Sequence, residues 1–380
     1  MNLGAINFDC WLTIIKYLNL NDQLALYEAT HGVLNGINLS LVYGWKKQHC
    51  FRLDGISIKL FEQMPEVLDI FLSSISATIQ ELQLKFASVE FLQQWEKYTF
   101  SNIETLECIF DDRRCHKPST DEEIHLLTKL FPRLRCVKLG AAMRQSSRHL
   151  RHADWGTWEQ GRRGNNCPKG IARWQLLEEL TLSYHFRLPF FNDGIVSLPN
   201  LQSITFYQNE LENDLDEMLK ERWKDVHKMI LNDCIDKYSW EKLRKLTSLH
   251  HLTIVHDEFF TRGIINKVVE KMNQLEQLDL VDFENWYSDD GLWQLVGYCP
   301  LLKILNISGM DLKPSFFNVN RSLMEKAMKK HCQTLTLYCG KRDSEIEELF
   351  RQHFNHPEVT LSFEPVNVEL LNSNMVKIHF

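Results

Sequence analysis

Apolar residues recur along this chain at a fixed offset: an anchor, a second residue three positions on, and a third five positions on. The stretch CPLLKILNIS, residues 299–308, shows the unit, with Leu302, Leu305 and Ile307 apolar and Asn306 and Ser308 polar. The same offsets occur at Ile79/Leu82/Leu84, Ile103/Leu106/Cys108, Leu134/Val137/Leu139, Leu177/Leu180/Leu182 and Leu201/Ile204/Phe206. They continue at Val226/Met229/Leu231, Leu249/Leu252/Ile254, Leu275/Leu278/Leu280, Leu302/Leu305/Ile307 and Cys332/Leu335/Leu337. Successive anchors lie 24, 31, 43, 24, 25, 23, 26, 27 and 30 residues apart. Two apolar residues two positions apart share one face of a β-strand, so Leu305 and Ile307 are predicted to point inward and Asn306 and Ser308 outward.

Between these strands the period changes to three and four. Residues 264–272, 290–298, 322–330 and 344–354 are predicted helices on that ground. Ser119 followed by Glu122 reads as a capping box before another helix. Pro132, Pro199 and Pro300 each stand two residues before an anchor, where proline ends a helix and turns the chain into the next strand. At the ends, ISIKL (56–60) is predicted as an N-terminal capping strand, and VTLSF (359–363) and MVKIHF (375–380) as closing strands.

A period in the twenties with an L-x-x-L-x-L core resembles the intracellular, cysteine-containing leucine-rich repeats over residues 55–363. The Asn or Cys that follows the strand in that family is matched by Asn209 and Cys234, while Asp111 and Asp257 stand there in other coils. The implied fold class is α/β: a leucine-rich-repeat solenoid of about ten to twelve coils, with a parallel concave sheet and helices on the convex side. One coil cannot bury its apolar face alone, so neighbours must stack.

The first fifty residues lie outside the repeat. Trp11, Ile14, Ile15 and Leu18 follow helical spacing, Asn7 is a candidate N-cap, and Asn21 or Asp22 can cap a second helix carrying Leu24 and Leu26. Read by themselves these are two short helices capping the first coil. Ile6, Asn7, Asp9, Cys10, Trp11, Ile14, Ile15, Tyr17, Leu18, Asp22 and Leu24 also resemble, in order, the F-box pattern Leu-Pro-x-Glu-Ile-Leu-x-x-Ile-Phe-x-Tyr-Leu followed by Asp-Leu. Asn7 replaces its proline, and Trp45 is the candidate for its downstream tryptophan. The resemblance implies an all-helical F-box-like domain over 1–50 and a leucine-rich-repeat domain over 51–380. By it, Ile6, Asn7, Trp11, Ile14, Ile15, Leu18 and Leu24 dock a Skp-type adaptor on a cullin scaffold. The repeats then hold a substrate protein for ubiquitination and proteasomal degradation. The alternatives are a leucine-rich-repeat binding scaffold without a ligase link and, third, an RNA-associated repeat protein.

Composition narrows this reading. The chain has 43 basic and 50 acidic residues, a net charge of −7, so a dedicated nucleic-acid binder is not expected. The first twenty residues lack the charge pattern of a signal peptide and no apolar run reaches membrane-span length, so the expected location is the cytoplasm or nucleus, without a membrane partner. No Gly-rich phosphate loop, HExxH or GxSxG occurs, and catalysis and cofactors are not expected. Cys108 with Cys115 and His116, and Cys332 with Cys339, fail as metal sites because Cys108 and Cys332 are repeat positions predicted to face inward.

The 43-residue step is the irregular one. Its segment 140–176 carries seven basic residues against Asp154 and Glu159, a local balance of +5, with Trp155, Trp158 and Trp174 interleaved. It reads either as a solvated insertion or as a loop in which Arg162 and Arg163 meet an acidic or phosphorylated partner, with single-stranded nucleic acid a third reading. On the outward face of the sheet, Val255, Asp279, Val281, Ser308 and Tyr338 are candidate substrate contacts, joined by Trp286 in a following loop.

Overall fold

The computed structural model describes residues 6–380 apart from 32–33, 111–120, 142–168, 183–194, 196, 208–221, 233–242, 256–265, 268, 282–289, 311, 313, 318–320, 365 and 372–374. The chain forms two compact units, Met1–Leu201 and Gln202–Phe380.

The first unit opens with three helices, α1 (Phe8–Ile15), α2 (Leu20–Thr30) and α3 (Asn35–Lys47). Asn7 caps α1 as expected, its Oδ1 accepting from the Cys10 N–H at 2.8 Å. The cap of α2 is Asn19, which accepts from the Asp22 N–H at 2.9 Å, in place of Asn21 or Asp22. The third helix carries Trp45 in its last turn, and Trp45 is fully buried. Its indole N–H donates to Gln23 Oε1 at 2.7 Å, and its ring lies 5.9 Å from Tyr27 and 5.3 Å from Phe71.

Strand β1 (Cys50–Leu53) follows, then α4 (Gly55–Gln63), α5 (Pro65–Ile75), β2 (Glu81–Ala87), α6 (Val89–Gln93), β3 (Thr105–Phe110), α7 (Asp121–Leu130), β4 (Cys136–Ala141) and β5 (Glu179–Leu182). Strands β1 to β5 pair in chain order, all parallel. Their registers build two ladders, Phe51–Leu82–Leu106–Val137–Leu180 and Leu53–Leu84–Cys108–Leu139–Leu182, and each member is at most 4% exposed. The expected inward pair of each coil is therefore present. Burying such side chains is worth roughly 1.5–3 kcal/mol each, which drives the stacking.

ISIKL is not a strand. Asp54 accepts from the Ile56 and Ser57 N–H groups, the Ser57 hydroxyl returns to the Asp54 backbone, and this capping box starts α4 through the same residues. The first coil's inward pair is Phe51 and Leu53, and the polar Gln48 stands at its anchor position, so the coil lacks the apolar triplet of the others.

In the second unit come β6 (Ser203–Tyr207), β7 (Lys228–Asn232), β8 (His251–Val255), β9 (Gln277–Val281), α8 (Asp290–Tyr298), β10 (Ile304–Asn306), α9 (Arg321–Met328), β11 (Leu335–Tyr338), α10 (Ser344–His353), β12 (Val359–Ser362) and β13 (Met375–His379). The order of its strands is β6-β13-β7-β8-β9-β10-β11-β12. β13 does not close the sheet at its edge: it enters antiparallel between β6 and β7, pairing Ile378 with both Ile204 and Met229. The inward ladder Ile204–Ile378–Met229–Leu252–Leu278–Leu305–Leu337 is fully buried.

Leu305 pairs with Leu337, two residues further than the repeat alignment with Leu335. A slip of two keeps every side chain on its face, so it costs no burial. It does leave the presumed anchor Cys332 exposed. Gly340, at φ +70°, makes the tight turn after β11, and a Cβ there would meet Ser308 Cβ at 2.7 Å.

Candidate functional site

Two surfaces carry the sequence-predicted site residues. On the N-terminal bundle, Trp11, Ile15 and Leu24 are buried in the interior, with Leu24 at 0% exposure, and cannot themselves touch a partner. Ile6 and Leu18 are half-buried, and Asn7 is occupied as the cap. Leu18 lines a cavity of about 360 Å³ with Asn19, Asn21, Gln48, Arg52 and Asp54. Ile14 is the predicted apolar contact that lies open, at 39%.

Tyr17, part of the F-box-like order, is 87% exposed, and Phe8 (43%), Leu39 (65%) and Tyr43 (42%) are further exposed apolar residues on the bundle that the sequence pattern does not single out. Phe8 and Tyr43 meet edge to face at 5.6 Å, joining α1 to α3. Lys47 stands 5.4 Å from the Tyr43 ring centroid. Helical spacing in α1 was legible. The contribution of α3 was not, because NGINLSLVYGWKK mixes its polar and apolar positions and gives a weak stripe.

The second surface is the face of the second unit's sheet opposite the ladder. Here Asp279 and Val255, expected in the open, are only 1% and 4% exposed, and Asn306 is fully buried. Val281, Ser308 and Tyr338 are half-buried. Asp279 organises this row: its carboxylate takes His251 Nε2 at 2.6 Å, the Thr253 hydroxyl at 2.9 Å and the Gln277 amide at 3.1 Å. Burial pushes the Asp279 carboxyl up, but the hydrogen bond and charge of His251, with the Gln277 and Thr253 donors, outweigh it and hold the group below the usual carboxylate range. Asn306 pairs in register with Asp279, and its Oδ1 accepts from the Ser308 N–H at 3.0 Å. Among the described residues its Nδ2 has no hydrogen-bond partner.

The segment between β12 and β13 reaches this same face. Leu371 O accepts from Asn232 Nδ2 at 2.6 Å, and Glu369 takes Lys377 Nζ at 2.6 Å, with Lys228 at 4.0 Å. Arg162, Arg163 and Trp286 lie outside the described residues, as do Trp155, Trp158, Asn209, Cys234 and the Ser119 cap. The end of the basic insertion is described and belongs to the core. Ile171 and Trp174 are fully buried, and the Trp174 indole donates to Phe131 O at 2.9 Å. Among the described residues, no helix is long and apolar enough to cross a membrane.

Within each unit the strand pairing defines stacked coils of a mixed α/β repeat, and the first unit begins with a three-helix bundle. No family model matches the chain, and no curated protein matches it. Among solved structures, an internalin (inlF) from Listeria monocytogenes is similar at 10% identity, covering 92% of this chain and 95% of its own, with a TM-score of 0.36. At that score the likeness decides nothing, and the repeat reading rests on the ladders.

Proposed function

We propose that this chain is a protein-binding repeat receptor, and more specifically the substrate-recognition subunit of an SCF-type ubiquitin ligase. In this reading the N-terminal bundle docks a Skp-type adaptor on a cullin scaffold. The repeats hold the substrate protein, and other subunits perform the ubiquitin transfer. The chain supplies proximity, raising the effective concentration of target lysines, and is itself non-catalytic.

The observation that carries the proposal is the set of open apolar side chains on α1, the turn after it and α3. Phe8, Ile14, Tyr17, Leu39 and Tyr43 are 39–87% exposed on a bundle whose own core is already filled by Trp11, Ile15, Leu24 and Trp45. Apolar and aromatic side chains gathered on a small domain and left in water are the mark of a surface that another protein covers. The F-box-like order of residues names the partner.

The test is affinity purification of the full chain from cells. Adaptor and cullin are expected with the natural chain and are expected to vanish with Ile14→Asp combined with Leu39→Asp, both surface changes that leave the bundle core alone. Adaptor recovery undiminished by that double change would sink the ligase reading and leave a binding scaffold.

A further inference from the structure

We infer that residues 363–371 are an internal occupant of a peptide-binding face, and that an acidic, extended segment of a partner protein takes the same place. The inference rests on the repeats as the substrate-holding part of the function proposed above, and it is independent of adaptor docking.

Geometry fixes the ends of the segment. Ser362 ends β12, and five interstrand steps separate β12 from β7, about 24 Å at the usual strand spacing. Nine residues lead from Ser362 to Leu371, with a reach of about 30 Å when extended. The segment is therefore long enough to bridge that distance. It starts where Phe363 packs on Phe350 and under Arg351, with ring centroids 6.0 Å apart and the guanidinium 4.9 Å from the Phe363 ring. It arrives over Asn232, whose side chain points away from the ladder because its neighbour Leu231 points into it. On β8 to β10 of the same face Thr253, Asp279 and Asn306 are buried although they point away from the ladder.

The chemistry of the face selects its occupant. The groups that meet the segment are donors and cations: Asn232 Nδ2 donates to a backbone carbonyl, Lys377 donates to the Glu369 carboxylate, and Lys228 pairs with it by charge at 4.0 Å. Asn306 Nδ2 is a further donor, fully buried and, among the described residues, without an acceptor. An unpaired buried donor is costly, so this position calls for a carbonyl or carboxylate. The present occupant is also lightly held. Leu370 is 64% exposed and the Glu369 side chain 40%. Exposed ion pairs of this kind contribute little, so exchange for a better-fitting acidic segment needs little energy.

The experiment uses a labelled synthetic peptide of residues 363–371 as probe, read by fluorescence anisotropy against the full chain. In one variant, 364–371 are replaced by Gly/Ser of equal length and β13 is retained. The peptide is expected to bind this variant at least tenfold more tightly than the natural chain. Glu369→Lys in the peptide, or Lys228→Glu in the variant, should each weaken that binding at least tenfold. Equal or absent binding to both chains, with the variant folded by circular dichroism, overturns the proposal, and so does binding indifferent to both charge reversals. If the Gly/Ser chain fails to fold, Glu369→Ala in the natural chain decides: a gain of at least threefold is expected, and no gain overturns it. Adaptor co-purification with the same variants should be unchanged, and its absence alongside normal peptide binding would count against the ligase reading alone.

Discussion

At the scale of single residues, the rule that alternate strand positions face opposite ways holds, while the assumption that the second face is wet does not. Asn306 stands opposite in direction to Leu305, as its position in the strand requires, and is nevertheless fully buried beside Asp279. Asn306→Asp therefore tests the buried row directly. The change would place a second carboxylate in a buried row already holding one, and a loss of about 2–4 kcal/mol is expected by urea unfolding. Leu305→Asp should unfold the neighbouring coils altogether. His379 gives a residue-scale pH prediction. Burial, with the charges of Lys377 and Lys228, pushes it down to about 4 from an ordinary 6.5. The depressed value means that its contribution is complete above pH 6.5 and is lost as pH falls toward 4. Because the group is partly solvated, about 1 kcal/mol is expected after screening. In urea melts at pH 7.5 and pH 4.5, His379→Gln should shrink the difference between the two, and an unchanged difference would mean the histidine is not the titrating group.

At the scale of elements, the inward ladders were legible because each coil repeats an apolar pair that has no alternative place to go. The failures have local physical reasons. ISIKL has enough β-branched character for a strand, but Asp54 and Ser57 close a capping box around its start, and Ile58 and Phe61 fall on one helical face. Asp54→Ala should therefore cost about 1 kcal/mol by thermal unfolding, and no change in melting would show that α4 is held by packing alone. The position of β13 could not be read, since MVKIHF alternates correctly for any gap in the sheet. Only its pairing with both β6 and β7 reveals which gap it fills. The two-residue slip between β10 and β11 was invisible for a related reason, as it preserves the face of every side chain.

For the whole molecule, the sequence disclosed the repeat and the presence of an N-terminal helical element, but little of which side chains stay in solvent. Exposure depends on contacts across long separations. Trp11 and Ile15 look like partner contacts but are buried in the bundle, and the face carrying Asp279 looks open although Asp279 is only 1% exposed. The basic insertion divides in the same way. Its final residues, with Ile171 and Trp174, are core, so replacing only 142–168 with a short Gly/Ser linker should leave the melting transition almost unchanged. Extending the replacement through 176 should lower it sharply, since it empties two buried sites. Equal melting of the two variants would show that Trp174 contributes no stability. The proposed function, in turn, rests on the apolar surface of the bundle. Its most direct test is calorimetric titration of the purified full chain with a purified Skp-type adaptor. The account predicts saturable one-to-one binding that weakens at least a hundredfold in the Ile14→Asp, Leu39→Asp variant at unchanged melting temperature. Absence of binding by the natural chain, or equal binding by the variant, would contradict it.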